Sequence, residues 1–431
     1  MGKKIIACLL AVFMLCGSVS ALAAPPKLES PSACLMDAET GQILYELDAQ
    51  TERPMASITK TMTALLIMEN GDLSASTVAT AEAINSVELD STRVGFEPNE
   101  QLTVDELMYC MLVYSANDAA NILACYLDGN VQAFVDRMNA KAQELGCTHT
   151  HFANPNGLDA DGHYSCAEDM ARITYAANQY PEFAKYSGTV YYELPADNII
   201  SAGWQIWTKV DMLRKDSPTY DARIYAAKTG WTTNAHNTFV ACGRSDQADL
   251  IVSVLGCPVK NGIFTDTAAL LNYGEQAYQK LIVTVDDYKK AAKKAAKKAD
   301  CKLDTNALAD FTLRLPAGMD ADDLEYTCET TETGAQLAVT IAEGSRKEYA
   351  AVTGMDGTQP LLRVPLTLKN AEPETTGSAV GSAEDSAEPQ IGVMELMHGA
   401  ETIAVVVAGA VVLMLVLLLL LGLYRRIRRK K

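Results

Sequence analysis

The apolar positions along the chain predict a hairpin, a block of helices and then a second group of strands. Alternating residues at 32–37 and 42–46, joined by a short turn, predict the hairpin. Helical periodicity follows at 57–69, at 105–126 with a break around 115–117, at 131–145 and at 166–178, and three strands (222–228, 237–243, 250–256) precede a helix at 264–278. This order predicts an α+β fold with an antiparallel sheet and helices on its faces.

The pattern changes after residue 280. Residues 289–298 repeat Lys-Lys-Ala-Ala. A solvated helix is the favoured interpretation, and binding of nucleic acid or a membrane by this run is the less favoured alternative. Polar and apolar residues alternate from 303 to 370, which predicts a small β-rich domain over 281–370. Residues 371–402 are rich in Glu, Ser, Thr and Gly without periodicity, and are expected to be a flexible linker or disordered stalk.

Both ends of the chain have the composition of targeting segments. Residues 1–24 combine Lys3 and Lys4 with an apolar run and a small-residue pattern, which predicts a secretory signal peptide. Residues 403–424 carry no charge, and 22 residues would span about 33 Å as a helix, enough to cross a bilayer. The basic residues 425–431 follow directly. The positive-inside rule therefore predicts a single-pass C-terminal anchor in the cell membrane, a cytoplasmic tail and an extracytoplasmic body.

Charge and cysteine content exclude several classes of function. Without the eight basic residues at the two ends, the net charge of −18 becomes −26, which argues against a nucleic-acid partner. Nine cysteines lie outside the predicted signal peptide, and none form a Cys-x-x-Cys pair. His149, His151 and His163 form only a loose cluster. The sequence therefore predicts neither a metal site nor a cofactor.

Three short motifs carry candidate chemistry. The first is Ser57-Ile58-Thr59-Lys60, which places a hydroxyl and an amine three residues apart at the start of a helix. A neutral amine in that position can take the hydroxyl proton and produce a nucleophile. The others are Ser115-Ala116-Asn117, at the head of an apolar helix, and Lys228-Thr229-Gly230, at the end of a strand. Each is common by chance, but their joint occurrence in this order is not.

With these motifs the chain resembles the D-alanyl-D-alanine carboxypeptidases, which are low-molecular-mass penicillin-binding proteins. The resemblance covers roughly residues 30–280 and includes the runs 36–41, 54–66, 134–139 and 150–158. It implies a penicillin-binding/β-lactamase-like catalytic domain over residues 28–280. It also implies removal of the terminal D-Ala from peptidoglycan stem peptides that end in D-Ala-D-Ala, and acylation by β-lactam antibiotics.

The resemblance assigns a role to each motif residue. It implies that Ser57 attacks the penultimate D-Ala carbonyl, that Lys60 accepts the proton, and that Ser115 relays a proton to the leaving amine. The implied substrate-binding residues are Asn117 for the substrate amide, Lys228 and Thr229 for the carboxylate side, Gly230 for close approach to the strand edge, and Trp231, whose backbone N–H completes an oxyanion hole with that of Ser57.

The chain departs from the family pattern at three places. Ala116 replaces the usual Gly or Asp between Ser and Asn, which we expect to be harmless. His236 stands where the family has Gly, and we expect it to pack or face solvent. Cys257-Pro258-Val259 occupies the place of a basic residue that helps hold the substrate carboxylate, and Lys260 is a weak substitute.

Two alternative functions share these motifs. A β-lactamase would have the same acylation step, but no Glu-x-x-Leu-Asn segment lies between Asn117 and Lys228. A non-catalytic wall-binding protein or penicillin sensor would use the pocket for binding only. All three motifs are intact, which favours the carboxypeptidase.

Overall fold

A computed structural model of the protein describes residues 24–331 and 334–368. Its strands are β1 (Ser32–Asp37), β2 (Ile43–Leu47), β3 (Ser76–Val78), β4 (Gln101–Thr103), β5 (Tyr191–Leu194), β6 (Trp204–Trp207), β7 (Ile224–Thr232), β8 (His236–Arg244), β9 (Asp249–Cys257), β10 (Tyr278–Val283), β11 (Phe311–Pro316), β12 (Leu324–Thr331), β13 (Gly334–Ile341) and β14 (Leu362–Leu366).

The α-helices of the same residues alternate with these strands. They are α1 (Lys60–Asn70), α2 (Ala81–Asn85), α3 (Val104–Leu112), α4 (Asn117–Asp128), α5 (Val131–Glu144), α6 (Ala167–Asn178), α7 (Pro181–Ser187), α8 (Gly262–Ala277), α9 (Val285–Lys298) and α10 (Arg346–Thr353). Short 3₁₀ turns add Ala56–Thr59, Asp211–Leu213, Ala321–Asp323 and Glu343–Ser345.

An antiparallel five-stranded sheet forms the centre, with strand order β2-β1-β9-β8-β7. Both of its faces are covered. In β1, Cys34 and Met36 face one apolar core, whereas Ala33 and Leu35 face the other. The first core is filled mainly by the helices between β2 and β5, and α8 lies over the second. The predicted α+β arrangement, an antiparallel sheet with helices on its faces, is confirmed.

Helix α1 lies inside the helical layer rather than at its surface. The sequence places its apolar residues on one face, but every residue from Lys60 to Ile67 is buried. Helices α3, α4, α5, α6 and α7 all contact it, so its polar faces meet protein as well. This explains how a lysine at the first position of α1 comes to be enclosed.

Strand β7 is longer than the sequence predicts. Its pairing with β8 continues through Trp231 opposite Asn237 to Thr232 opposite His236. The predicted end at Lys228-Thr229-Gly230 is therefore wrong, and Lys228 lies in mid-strand. The cause is the tight connection to β8, in which His236 adopts a left-handed φ of 55°.

The strands that follow α8 form two further small sheets, and the first of these contacts the central sheet. Strand β10 pairs with β11, and β12, β13 and β14 form a three-stranded antiparallel sheet that packs against α9. The predicted division at residue 280 falls inside β10. Arg314 of β11 forms a buried ion pair with Asp37 of β1, and its backbone N–H donates to Gln42 Oε1 at 2.7 Å. These contacts tie the later strands to the edge of the central sheet.

Several predicted segments lie outside the described residues. They are the signal peptide apart from its last residue, the linker at 371–402, the membrane helix at 403–424 and the tail at 425–431. Within residues 24–331 and 334–368, no helix is both long and apolar enough to cross a membrane. All nine cysteines of this part are free thiols.

Candidate active site

A strained turn presents Ser57 at the start of α1. Ser57 belongs to the 3₁₀ turn Ala56–Thr59, not to the first α-helical turn as the sequence predicts. Ala56 has a φ of 51°, which is unfavourable for a residue with a Cβ. Gly157 packs directly on it, since a Cβ there would come within 2.1 Å of the Ala56 carbonyl oxygen. The surrounding chain therefore holds Ser57 half-exposed in one orientation.

Lys60 is the closest amine to Ser57. Its Nζ lies 3.0 Å from Ser57 Oγ and 2.6 Å from Asn117 Oδ1, and it also contacts the Asn156 carbonyl oxygen. The side chain is fully buried. Burial lowers the pKa of Lys60 well below its ordinary value, and the nearby Lys228 charge lowers it further.

The partners of Lys60 identify what Ser57 can do. The two carbonyl-type oxygens, from Asn117 and Asn156, can only accept hydrogen bonds. A neutral amine has two N–H groups, which these oxygens use, and one lone pair. That lone pair is left for the Ser57 hydroxyl, which then donates its proton toward Lys60. A protonated amine would instead donate to all three oxygens, and the lowered pKa of Lys60 favours the neutral form that removes a proton from Ser57.

Ser115 and Lys228 form the opposite wall. Ser115 lies between α3 and α4 with a left-handed φ of 69°, a second strained position beside the cleft. Lys228 Nζ donates to Ser115 Oγ at 2.9 Å and to the Thr229 carbonyl oxygen at 2.7 Å. Burial lowers the pKa of Lys228 to about 7, and the Lys209 charge adds to this. The structure thus brings the second and third motifs into contact.

Gly230 is required by the packing of β7 against the Ser57 turn. A Cβ on Gly230 would lie 2.4 Å from Thr238 Oγ1 and 2.9 Å from the Ser57 backbone nitrogen. From the sequence, this glycine is expected to let substrate approach the strand edge. The structure adds a second reason, because the Ser57 backbone nitrogen lies where a side chain would be.

A cleft of about 320 Å³ opens between these walls. Its lining includes five of the residues predicted from the sequence, namely Ser57, Ser115, Thr229, Gly230 and Trp231. Lys60, Asn117 and Lys228 are buried behind it and act on the cleft through Ser57 and Ser115. The structure therefore divides the predicted residues into a layer that substrate can touch and a layer that supports it.

His163 supports the 3₁₀ turn that carries Ser57. His163 Nδ1 accepts a hydrogen bond from the Ala153 N–H at 3.0 Å, so the ring proton is on Nε2, 2.9 Å from Thr59 Oγ1. Thr59 in turn donates to the Ala56 carbonyl oxygen at 2.8 Å. Burial lowers the pKa of His163 to about 4. A neutral histidine therefore fixes the strained residue before Ser57.

Asp118 organises the loop over the other side of the cleft. Its carboxylate accepts from the Val94 and Gly95 N–H groups at 3.2 and 2.7 Å. The Asn117 N–H donates to the Thr92 carbonyl oxygen at 2.9 Å, and Thr92 lines the cleft. Nothing in the sequence around residues 92–96 indicates this, because the contact depends on tertiary packing alone.

Two lysines outside the motifs line the cleft. Lys209 and Lys260 both face it, as does Asp211, which pairs at 3.4 Å with Arg214. Lys209 Nζ lies 3.4 Å from Thr92 Oγ1 and 4.6 Å from the centre of the Tyr114 ring. Within the described residues, no carboxylate lies within 4.0 Å of either ammonium group. They are the cations that an anionic group in the cleft can reach.

The other histidines have separate surroundings. His236 is exposed in the turn between β7 and β8 and is not part of the cleft lining. His151 Nδ1 contacts the Gly162 carbonyl oxygen at 2.6 Å, and His149 Nδ1 lies 3.6 Å from Glu52. None of the three contacts the Ser57 turn in the way that His163 does.

Comparison with known proteins agrees with this geometry. A family model described as D-alanyl-D-alanine carboxypeptidase (Peptidase_S11) matches residues 19–259. The chain is 34% identical to the carboxypeptidase DacB2 of Mycobacterium tuberculosis over 239 residues, which are 54% of this chain and 78% of that protein. It is 32% identical to DacF of Bacillus subtilis over 255 residues, 58% of this chain and 63% of DacF.

Solved structures resemble the same region. A D-alanyl-D-alanine carboxypeptidase from Mycobacterium tuberculosis, 30% identical, superposes with a TM-score of 0.53 over 59% of this chain and 94% of its own. Penicillin-binding protein 6B from Escherichia coli, 22% identical, has a TM-score of 0.58 over 81% of this chain and 98% of its own, which is a likeness of fold.

Proposed function

Because this chain belongs to the D-alanyl-D-alanine carboxypeptidase family, we propose that it hydrolyses the terminal D-Ala-D-Ala bond of peptidoglycan stem peptides. The observation that carries this proposal is the 3.0 Å contact between Ser57 Oγ and the Nζ of Lys60, whose burial favours the neutral amine. The reaction proceeds through an ester on Ser57.

Acylation begins with transfer of the Ser57 hydroxyl proton to neutral Lys60. The Ser57 oxygen attacks the carbonyl carbon of the penultimate D-Ala, and the carbonyl oxygen of that residue becomes an oxyanion. The backbone N–H groups of Ser57 and Trp231 stabilise that charge. Loss of one such donor in other enzymes raises the barrier by about 2.7–4 kcal/mol.

Departure of the terminal D-Ala needs a proton on its nitrogen. Ser115 lines the cleft and is bound to Lys228. Ser115 passes its hydroxyl proton to the amine as the carbon–nitrogen bond breaks. Ser115 is then reprotonated by the proton that Lys60 took from Ser57. Lys228 favours this transfer because its charge stabilises negative charge on the Ser115 oxygen.

Water completes the cycle. It attacks the Ser57 ester, Lys60 takes the proton of the water, and Ser57 leaves with a proton while the shortened peptide carries the carboxylate. A β-lactam follows the same first step, but its ring-opened amine remains attached, so the leaving group cannot diffuse away. We therefore expect a long-lived penicilloyl ester on Ser57.

Lys209 and Lys260 are assigned to the terminal carboxylate of the substrate. The chain has no basic residue at 257–259, where the family pattern has one. Both lysines line the same cleft as Thr229. The ammonium group of Lys209 is held by Thr92 and Tyr114, which orients it toward the cleft.

We also propose an extracytoplasmic location. The predicted signal at residues 1–24 and the predicted membrane helix at 403–424 support export and retention by a C-terminal anchor. The strands and helices of residues 281–370 would then form a small domain between the catalytic part and the linker at 371–402. The substrate, peptidoglycan, lies on the same side of that membrane.

The decisive test follows both products and the modified residue. The purified chain is incubated with a pentapeptide that ends in D-Ala-D-Ala and, separately, with a fluorescent penicillin. We expect release of one D-Ala per peptide and a penicilloyl adduct on the peptide that contains Ser57. Rapid penicillin turnover without D-Ala release would favour a β-lactamase, and binding without either product would favour a sensor.

A further inference from the structure

The lysine-rich helix α9 presents one positively charged face. We define the lysine patch as Lys290, Lys293, Lys294, Lys297, Lys298 and Lys302, all of which are exposed. Tyr288, Ala292 and Ala295 of the same helix are buried against the neighbouring strands. At 100° per residue the five helical lysines lie opposite these buried residues, so the charge is confined to one side.

The patch is free of ion pairs. Within the described residues, no carboxylate oxygen lies within 4.0 Å of any of its six ammonium groups. The nearest acids along the chain are Asp286 and Asp287 in the first turn of α9, and Asp300 after its end. Asp287 accepts hydrogen bonds from the backbone N–H and the hydroxyl of Thr284, which is the N-cap residue of α9. Without the eight basic residues at its two ends the chain has a net charge of −26, so the patch is a local exception in an acidic body.

A pocket of about 400 Å³ lies within the patch. Lys293, Lys297 and Lys302 line it together with Asp300. Three ammonium groups around one pocket outweigh the single carboxylate and the partial negative charge at the end of the helix. A phosphate-sized anion can therefore be held there by several cations at once.

The last described residue lies beside this pocket. Leu368 pairs with Leu303, and the Asp304 N–H donates to the Thr367 carbonyl oxygen at 2.9 Å. The described part of the chain therefore ends next to Lys302. The segment 369–402 has 34 residues, and a flexible chain of that length has a mean extension of about 30 Å. The predicted anchor would keep the patch near a bilayer.

From these observations we propose that the lysine patch docks on the anionic headgroups of the membrane that holds the predicted C-terminal helix. The ligand class is an acidic phospholipid, and the pocket receives one headgroup phosphate. Docking would orient the body, because this face is positive whereas the chain between its basic ends has a net charge of −26. This goes beyond the catalytic proposal and depends on the proposed anchoring.

The test uses the full chain reconstituted in lipid nanodiscs of either phosphatidylglycerol or phosphatidylcholine. Surface lysines are acetylated briefly and their modification is measured by mass spectrometry. We expect the patch lysines to react at least about threefold more slowly in phosphatidylglycerol, while exposed Lys215 and Lys347 react equally in both. About 1 M salt should remove the difference, because it screens charges beyond about 3 Å.

Equal labelling of the patch in the two lipids would overturn the proposal. A second outcome would also overturn the proposal. If phosphatidylglycerol alone gives no protection, but a soluble poly(glycerol phosphate) added to phosphatidylcholine nanodiscs does, the patch binds a soluble polyanion.

Two variants with Lys293, Lys294, Lys297 and Lys298 changed to Arg or to Glu provide a second measurement. Both keep the predicted anchor, and acetylation of the unchanged patch lysines Lys290 and Lys302 is measured in phosphatidylglycerol nanodiscs or vesicles. We expect protection of Lys290 and Lys302 in the Arg variant and its loss in the Glu variant, although the Glu variant still reacts with fluorescent penicillin. Equal protection in the Glu and Arg variants would reject the patch.

Discussion

The active-site cleft and helix α9 use the same side chain in opposite environments. In the cleft, Lys60 and Lys228 are buried, and each contacts fixed oxygen partners within 3.0 Å. On α9 the lysines are exposed and unpaired within the described residues. A buried lysine can lose its charge and handle one proton, whereas exposed lysines act together through their summed field. Burial, not residue type, therefore determines what a lysine does here.

The largest effect should come from removing the nucleophile. Ser57→Ala should lower D-Ala release and penicillin acylation by at least about 10⁴-fold, because no other hydroxyl lies in contact with Lys60 Nζ among the described residues. Stopped-flow and gel detection of a fluorescent penicillin measure this. Ser187→Ala, at a buried serine on α7 that donates to the Phe183 carbonyl oxygen, is the control and should leave acylation unchanged. Retention of acylation in Ser57→Ala would reject the acyl-enzyme.

The next effect tests whether Lys60 acts as a neutral base. Lys60→Met and Lys60→Arg should both slow acylation by about 10²–10⁴-fold, since methionine cannot take a proton and arginine cannot lose one. In the wild type, acylation should fall as the pH is lowered through the depressed pKa of Lys60, because the protonated amine cannot accept the Ser57 proton. A Lys60→Arg enzyme with wild-type acylation would show that only the charge matters.

Lys228 should make the stability of the fold depend on pH. Its pKa is about 7 in the folded protein and near 10.4 when unfolded, so the unfolded state binds more protons between those values. Stability should therefore rise with pH from about 7 to about 10, by up to a few kcal/mol. Below about pH 7 both states are protonated and this gain is absent.

Lys228→Met should flatten that rise. Urea unfolding of the wild type and the variant at about pH 7 and about pH 9.5 measures the difference. Part of the difference in unfolding free energy arises at Lys60, because the Lys228 charge also lowers the pKa of Lys60. If the free energy of unfolding changes equally with pH in the two proteins, Lys228 does not cause the rise in stability. Burial of its charge would then not destabilise the fold.

A smaller effect separates positioning from bulk packing in the Ser57 turn. Thr59→Val keeps the shape but removes the hydroxyl between His163 and the Ala56 carbonyl oxygen. We expect a loss of about 1–2 kcal/mol in stability and about tenfold slower acylation, because Ala56 is held in a strained conformation. Thermal unfolding and penicillin kinetics measure the two effects.

Thr61 provides a matched control for this variant. It is buried in α1, two residues after Thr59, and its Oγ1 has no hydrogen-bond partner in the described part of the chain. Thr61→Val should therefore change neither acylation nor stability unfavourably. If both valine variants behave alike, Thr59 contributes only volume.

The smallest effect should come from the exposed lysines. Lys294→Gln and Lys298→Gln should each change the free energy of unfolding by less than about 0.5 kcal/mol, since neither side chain packs or pairs. Their membrane attraction should nevertheless weaken with each charge removed. A large loss of stability in either variant would contradict the contrast between the two lysine environments.

Much of the fold follows from local pattern. The helices at 131–145 and 166–178 and the strands at 237–243 and 250–256 are found within a few residues of their predicted positions, because hydrophobic period and turn residues act locally. The end of β7 is missed, since it depends on pairing with β8 across a tight turn. The enclosure of α1 is missed for a similar reason, because five helices surround it.

The candidate site divides in the same way. The sequence alone identifies Ser57, Lys60, Ser115, Asn117 and the Lys228 strand, because short motifs preserve their spacing within single elements. It gives no sign that His163 supports the Ser57 turn or that Lys209 lines the cleft. These residues lie about a hundred positions or more from Ser57 in the sequence, and no local rule links them.

Sequence alone therefore determined the main helices and the strands of the central sheet, which family the chain resembles and which motif residues carry the chemistry. The short elements β3, β4, β5, β6, α2 and α7 were not predicted. Only the tertiary structure decided that Lys60 is enclosed beside Ser57 with two further oxygen acceptors, where burial favours the neutral amine. The physical reason is that hydrophobic period and motif spacing are properties of neighbouring residues. Desolvation and the direction of a hydrogen bond are set by segments that meet only in the folded chain.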